Sequence, residues 1–363
     1  MKQLGFAVRL ISVLAVGSTA SSISTRAFAQ GAVRDQSGAL TATQTGSSKS
    51  WLEQKFAGSY AELSNYVGSG TFYASGYHDP YVSTALYLKP VYKLGTKRDL
   101  ALNARIYLEE EFTQPDNPQA RRFYPLDPWL WLSARNLYTE PRSKIRISGL
   151  VRLVAPMSYE SRYSHLLVGT AVGGSAVRSF EVGPASAQGK RWGLNLALGS
   201  VFTKNFHASV LRGKFPGDTT GCRTAGGLPT FSGGGSPSAS GSDLCGGPLN
   251  TSFGFMTSFN ATLSRDPWSF SATFILINQF RYDVPLDAFS PTDVPRGRDD
   301  LTWGLLAVGY ELNPHIGLGA GISTYQPALD SRYRYPRIPF FDFSGGANAN
   351  NYTQLFVNVN GTL

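Results

Sequence analysis

The 363-residue chain holds 33 Lys and Arg against 24 Asp and Glu, a net charge of +9, yet only 16% of it is charged and 13% is aromatic. Soluble domains usually carry about 25% charged residues, so an ordinary soluble surface is a poor match. Neither a phosphate loop, a nucleotide fingerprint nor a metal-ligand spacing occurs, so the sequence points to no cofactor, no metal and no nucleic-acid partner.

The N-terminus opens with Lys2 and Arg9, continues through a mostly apolar run from Leu10 to Val16, and reaches the small-x-small stretch Ala27-Phe28-Ala29. This pattern predicts a secretory signal peptide over 1–29. The apolar run falls short of the roughly 20 residues that a spanning helix needs. Cleavage would remove Lys2, Arg9 and Arg26 and no acid, taking the formal charge from +9 to +6.

Residues 30–67 read as a flexible leader followed by a short amphipathic helix. Gln30 to Ser50 is rich in Gly, Ser, Thr and Gln. Leu52, Phe56, Tyr60, Leu63 and Val67 then recur at helical spacing. That segment would be a plug or periplasmic cap, an amphipathic helix resting on the barrel rim, or a frayed lead-in to the first strand.

From Gly68 onward a period of two dominates. In Asp99 to Phe112 the even positions Leu100, Leu102, Ala104, Ile106 and Leu108 are apolar, while Asn103, Arg105, Tyr107, Glu109 and Glu111 oppose them. Ser143 to Val154 sets Ile145, Ile147, Val151 and Leu153 against Lys144, Arg146, Ser148 and Arg152. Arg191 to Phe202, Ser252 to Leu263 and Ile316 to Ser323 alternate in the same way. Strands send successive side chains to opposite faces. Sandwich strands average 5 to 6 residues, whereas these runs approach the 9 to 11 that cross a bilayer in a barrel.

Connections alternate in length. Short ones are expected at Gly95-Thr96-Lys97, Glu140-Pro141-Arg142, Thr203-Lys204-Asn205, Arg265-Asp266-Pro267 and Asn313-Pro314-His315. Longer ones lie around 113–123, 214–249, 283–299 and 326–349. In outer-membrane barrels the short turns are periplasmic and the long loops external. Even parity adds a strand over Gly68 to Tyr77, and divides Tyr159 to Gly183 into two strands hinged at Gly173-Gly174. The fold class is therefore all-β, an antiparallel transmembrane barrel over 68–363 with about fourteen strands, twelve being the alternative. Pro90 predicts a bulge. Trp129 and Trp131 share the parity of Asp127, Ser133 and Arg135, so they either line the lumen or mark an inverted register.

The C-terminal stretch Tyr352 to Leu363 places Leu355, Val357, Val359 and Leu363 on one parity, ending on the last residue. In this it resembles the terminal strand of bacterial outer-membrane β-barrel proteins, a porin-like class, although those usually end in Phe. The resemblance implies a bacterial outer-membrane location and recognition by the outer-membrane insertion machinery.

Within such a barrel, Lys144, Arg146, Arg152, Arg105, Arg135 and Arg191 are candidate lumen-lining cations, with Asp99 and Glu109 as lumen-lining acids. An outward Lys or Arg would cost about 2–4 kcal/mol at the bilayer midplane. The competing reading pairs these cations with Asp99, Glu109, Glu111 and Asp127 as interior filling. Cys222 and Cys245, an even pair in an exported chain, predict one disulfide at the base of a Gly- and Ser-rich loop. The Arg332 to Phe343 loop suits lipopolysaccharide contact.

The function these features favour is passive diffusion of small hydrophilic solutes, leaning towards anions. The alternative is a non-conducting barrel for adhesion, surface structure or assembly. A barrel-embedded hydrolase is the minor alternative; of His78, His165, His207 and His315, only His207 has a Ser on its own face, Ser209, and that is no triad.

Overall fold

The computed structural model describes residues 51–72, 80–95, 99–113, 123–158, 161–162, 164–184, 191–210, 249–283, 297–329, 336–337 and 352–363. The proposed signal peptide, Cys222, Cys245, His78 and the Arg332 to Phe343 loop apart from Pro336 and Arg337 lie outside these residues.

A short helix α1 (Trp51–Lys55) precedes fourteen strand segments. These are β1 (Tyr60–Gly68), β2 (Val82–Lys89), β3 (Val91–Gly95), β4 (Leu100–Glu111), β5 (Phe123–Pro125), β6 (Trp129–Thr139) and β7 (Arg146–Val154). They continue with β8 (Leu166–Val182), β9 (Trp192–His207), β10 (Thr251–Arg265), β11 (Trp268–Arg281), β12 (Arg298–Asn313), β13 (Ile316–Pro327) and β14 (Thr353–Thr362).

All the pairings are antiparallel, and the sheet closes on itself. β1 pairs with β14 along its whole length, from Tyr60 opposite Thr362 to Gly68 opposite Gln354. β2 pairs with β1 on one side and β4 on the other, which completes the ring. β2 and β3 both lie along β4 and are parted only at Pro90, whose missing N–H interrupts the ladder. β5 and β6 likewise share one line along β4, broken at Leu126-Asp127-Pro128. The barrel therefore has twelve staves.

Twelve replaces the expected fourteen for two local reasons, and a third change moves a stave without altering the count. Tyr159 to Gly183 does not break at Gly173-Gly174; β8 runs unbroken through both glycines, and a Cβ on Gly173 would come 2.7 Å from the Ser200 carbonyl oxygen. Thr203-Lys204-Asn205 is not a turn but lies inside β9, paired with Ala171, Thr170 and Gly169. The first stave is Tyr60–Gly68 rather than 68–77, so the predicted helix shrinks to Trp51–Lys55. The apolar spacing over 52–67 mixed one helical turn with a strand whose lumen face, at Glu62, Ser64 and Tyr66, is buried inside the barrel.

The short connections β3–β4, β6–β7, β8–β9, β10–β11 and β12–β13 share one end of the barrel with the start of β1 and the end of β14. The long connections share the other. Outward positions form an apolar belt: Leu130, Leu132, Val151, Leu153, Leu355, Val357 and Val359 are all exposed. Such a continuous apolar surface needs lipid around it. Among the described residues no helix is long and apolar enough to cross a membrane; the strands make the crossing.

Candidate functional site

With apolar side chains outside, the polar and bulky ones meet inside. Pair registers fix the lumen parity: Glu62 faces the same side as Tyr87 and Asn360, and Trp303 the same side as Ile275 and Tyr325. The fully buried large side chains Trp129, Trp303, Arg105, Tyr66, Tyr87, Tyr107 and Ile275 all point into the lumen. The core of this protein is the barrel interior.

Trp129 organises one wall. Arg105 stands opposite it across the β4–β6 pair, with its guanidinium carbon 3.3 Å from the ring centre, and that of Arg152 lies 3.8 Å from the same centre. Two planar cations that close cannot share one face, so the indole is held between them. Cation–π contacts of this kind gain about 2 kcal/mol when desolvated. Arg105 also donates from Nη2 to the Asp127 backbone oxygen at 3.4 Å.

Carboxylates fill the adjoining wall. Glu109 accepts hydrogen bonds from the hydroxyls of Tyr81 and Tyr107, and Ser83 donates to the Tyr81 hydroxyl at 2.9 Å. Glu62 accepts from Tyr60 and Ser64. Asp127 accepts from the backbone N–H groups of Met157 (2.8 Å) and Ser158 (2.7 Å) and from the Ser161 hydroxyl, tying the β7–β8 connection to the break between β5 and β6. Higher still, Arg281 pairs with Asp299 and donates to the Leu249 carbonyl oxygen.

The buried charged groups are Glu62, Glu109, Glu111, Asp127 and Asp299 against Lys89, Arg105, Arg152 and Arg281. Among the described residues five buried acids face four buried bases, so these buried groups carry no excess of positive charge.

Two apolar clusters meet through Met256 inside the lumen, and this junction is the candidate seal. One cluster joins Tyr66, Tyr87, Tyr107, Ile275, Trp303, Tyr325 and Phe356; a second joins Trp129, Trp131 and Val154. Met256 of β10 packs against both, although β10 stands four staves from β6. Its side chain therefore reaches across the interior. The seal belongs to the long-loop half: Tyr66, Val154, Tyr325 and Phe356 sit within three residues of the long-loop ends of their strands.

The short-turn half is built differently on the β8–β9 and β13–β14 walls. Lumen-facing positions there are small or amide residues, and Ser179, Asn195, Ala197, Gly319, Asn358 and Asn360 keep solvent contact. Asn358 and Asn360 lie flat over Gly319 and Gly317, where a Cβ would approach their Oδ1 atoms to 2.4 Å and 2.8 Å. Asn358 and Asn360 are thus held against the wall in the short-turn half.

The sequence candidates divide by height. Arg152, Arg105 and Glu109 are buried in the lumen. Arg135 is half-buried beyond Trp131, its backbone N–H 3.4 Å from the Asp99 carbonyl oxygen. Arg146 is exposed at the first residue of β7. Three candidates sit outside the strands: Lys144 in the β6–β7 turn with φ 58°, Asp99 in the β3–β4 turn beside Lys93, and Arg191 at the rim, 3.8 Å from Glu181. Each falls where a strand has already ended, so alternation no longer applies. Glu62, Lys89, Met256 and the Arg281–Asp299 pair were missed; Glu62 lies on a segment misread as helix, and Lys89 lies beside the break at Pro90. His207 lies edge-on to Tyr282, and His315 Nδ1 is 3.1 Å from the Thr362 oxygen.

No protein-family model matches the sequence, and no curated protein matches it. Among solved structures, the chain is similar to an outer membrane channel from Pseudomonas putida F1 at 10% identity, covering 85% of this chain and 96% of that one with a TM-score of 0.46. It is also similar to outer membrane phospholipase A from Escherichia coli at 10% identity, covering 84% and 92%, TM-score 0.29. BamA from Haemophilus ducreyi, lacking POTRA domains 1-3, matches at 14% identity over 83% and 70%, TM-score 0.30. The closed antiparallel sheet and its apolar outer face give the fold of a transmembrane β-barrel.

Proposed function

We propose that the protein is a gated diffusion channel for small hydrophilic solutes. The observation that supports this is Met256, one flexible side chain bridging two aromatic clusters, with small and amide residues facing the lumen in the short-turn half. A barrel of eight strands is filled by side chains, while sixteen or more leave an open channel; twelve staves leave room that a few large residues can close. Apolar constrictions exclude water and gate conduction. Methionine has three rotatable bonds and re-packs readily, so moving its side chain opens a path without rebuilding the wall.

The near balance of buried charge favours weak selectivity over the anion preference that the basic strand suggested. Arg105 and Arg152 serve first to hold Trp129. The non-conducting reading draws on the same filled interior: if the clusters never part, they are simply a core.

Solute flux separates the two. Proteoliposomes carrying the refolded barrel should swell in small sugars or amino acids and stay closed to larger ones. Swelling no faster than that of protein-free vesicles, for every solute, would remove the channel reading.

A further inference from the structure

The outer wall over β9 to β13 is not uniformly bulky. Ala261 and Ala272 face each other across the β10–β11 pair, and Ala320 lies on β13. Together they floor an apolar groove of about 530 Å³ whose sides include Leu194, Leu306 and Ile322. The groove opens to the lipid side and continues the apolar belt.

Towards the short turns the same column changes character. Leu263 stands opposite Phe270, and Arg265 opposite Trp268 at the last pair of the ladder. The Arg265 guanidinium carbon lies 5.6 Å from the Trp192 ring centre, and Trp268 packs edge-on against Tyr310 with ring centres 4.8 Å apart. Trp and Tyr gather where hydrocarbon meets headgroups, so this row marks the interface. Four residues separate Arg265 from Ala261, about 13 Å along a strand. Half a hydrocarbon core is about 15 Å. A cation at the interface and an apolar groove running towards the midplane thus fit one lipid leaflet.

We propose that this face binds one phospholipid of the short-turn-side leaflet, an acyl chain in the groove and the phosphate at Arg265. Charge complementarity selects the anionic headgroup, and the alanine floor admits a chain where Leu or Phe would fill the space. The inference rests on the short turns facing the periplasm and is independent of whether the lumen conducts.

The test is native mass spectrometry of the folded barrel released from detergent after incubation with phosphatidylglycerol, with purified lipopolysaccharide in a parallel arm. Wild type should keep one phosphatidylglycerol. Arg265→Gln should weaken retention about tenfold, the loss of one charge-assisted hydrogen bond, and Ala272→Leu should abolish it. Ala272→Leu adds an apolar group on the lipid face, and its folding is checked by heat-dependent gel mobility. Equal retention by wild type and both folded variants would overturn the site, as would wild type keeping lipopolysaccharide in place of phosphatidylglycerol.

Discussion

The Arg105 guanidinium carbon lies 3.3 Å from the centre of the Trp129 ring, with both side chains buried inside the barrel. A cation usually enters a lumen to meet water or a carboxylate; here it meets an indole. The contact predicts a coupling energy of about 2 kcal/mol between Arg105→Gln and Trp129→Leu in a double-mutant cycle read by urea unfolding. Additive losses would show that the two residues pack side by side without interacting.

The glycines under β14 make a sharper prediction. The three nearest atoms to a Cβ on Gly319 all belong to the Asn358 side chain, whereas a Cβ on Gly321 would come 2.2 Å from the Leu306 carbonyl oxygen. Overpacking typically costs about 1–3 kcal/mol. Gly319→Ala should therefore be rescued by Asn358→Ala, and Gly321→Ala should not be rescued by Phe356→Ala. Thermal unfolding of the four single variants, the two double variants and the wild type decides it; rescue of Gly321→Ala would contradict the assigned backbone contact.

Lumen and lipid faces differ at adjacent residues. Val151 is 58% exposed on the outer belt and Arg152 is 5% exposed inside. Val151→Arg should cost about 2–4 kcal/mol near the midplane and less towards the rims. Val151→Leu should be nearly neutral. Folding yield into vesicles measures both, and equal yields would place Val151 away from lipid.

In the β6–β7 turn, the backbone N–H of Ser143 donates to Glu140, and with the Ser143 hydroxyl and the Arg142 backbone it holds the Glu140 carboxyl below its ordinary pKa. The charged form is thus favoured in the folded protein. Stability from this contact is present above the ordinary carboxylate value and is lost as pH falls through the lowered one. Ser143→Ala removes the hydroxyl and should move the Glu140 midpoint upward, though not fully, because the larger backbone contribution stays. Carbon NMR titration of Glu140 reads this; an unmoved midpoint would remove the hydroxyl's role.

Much of the barrel was legible because a period of two is a local property. The alternation over 143–154 assigned Ile147, Val151 and Leu153 outward, and they are exposed. Pro90 marked its break, since a missing N–H acts where it stands. Stave ends were less legible: Lys144 and Asp99 kept the parity of their strands but sit in turns with positive φ. Gly173-Gly174 looked like a hinge because glycine permits bends, yet here it permits β8 and β9 to approach closely. The seal was not legible at all. Met256 meets residues four staves away, and such a contact depends on closure and stave number, which no single segment encodes.

Single-channel conductance in planar bilayers tests the central claim most directly, comparing wild type with Met256→Gly. Removing the bridging side chain should open the path between the two aromatic clusters while leaving the wall intact. Wild type should show mostly closed, brief low-conductance events, and Met256→Gly should stay open with larger steps. A folded Met256→Gly barrel that is as silent as protein-free bilayers, or indistinguishable from wild type, would contradict the gate.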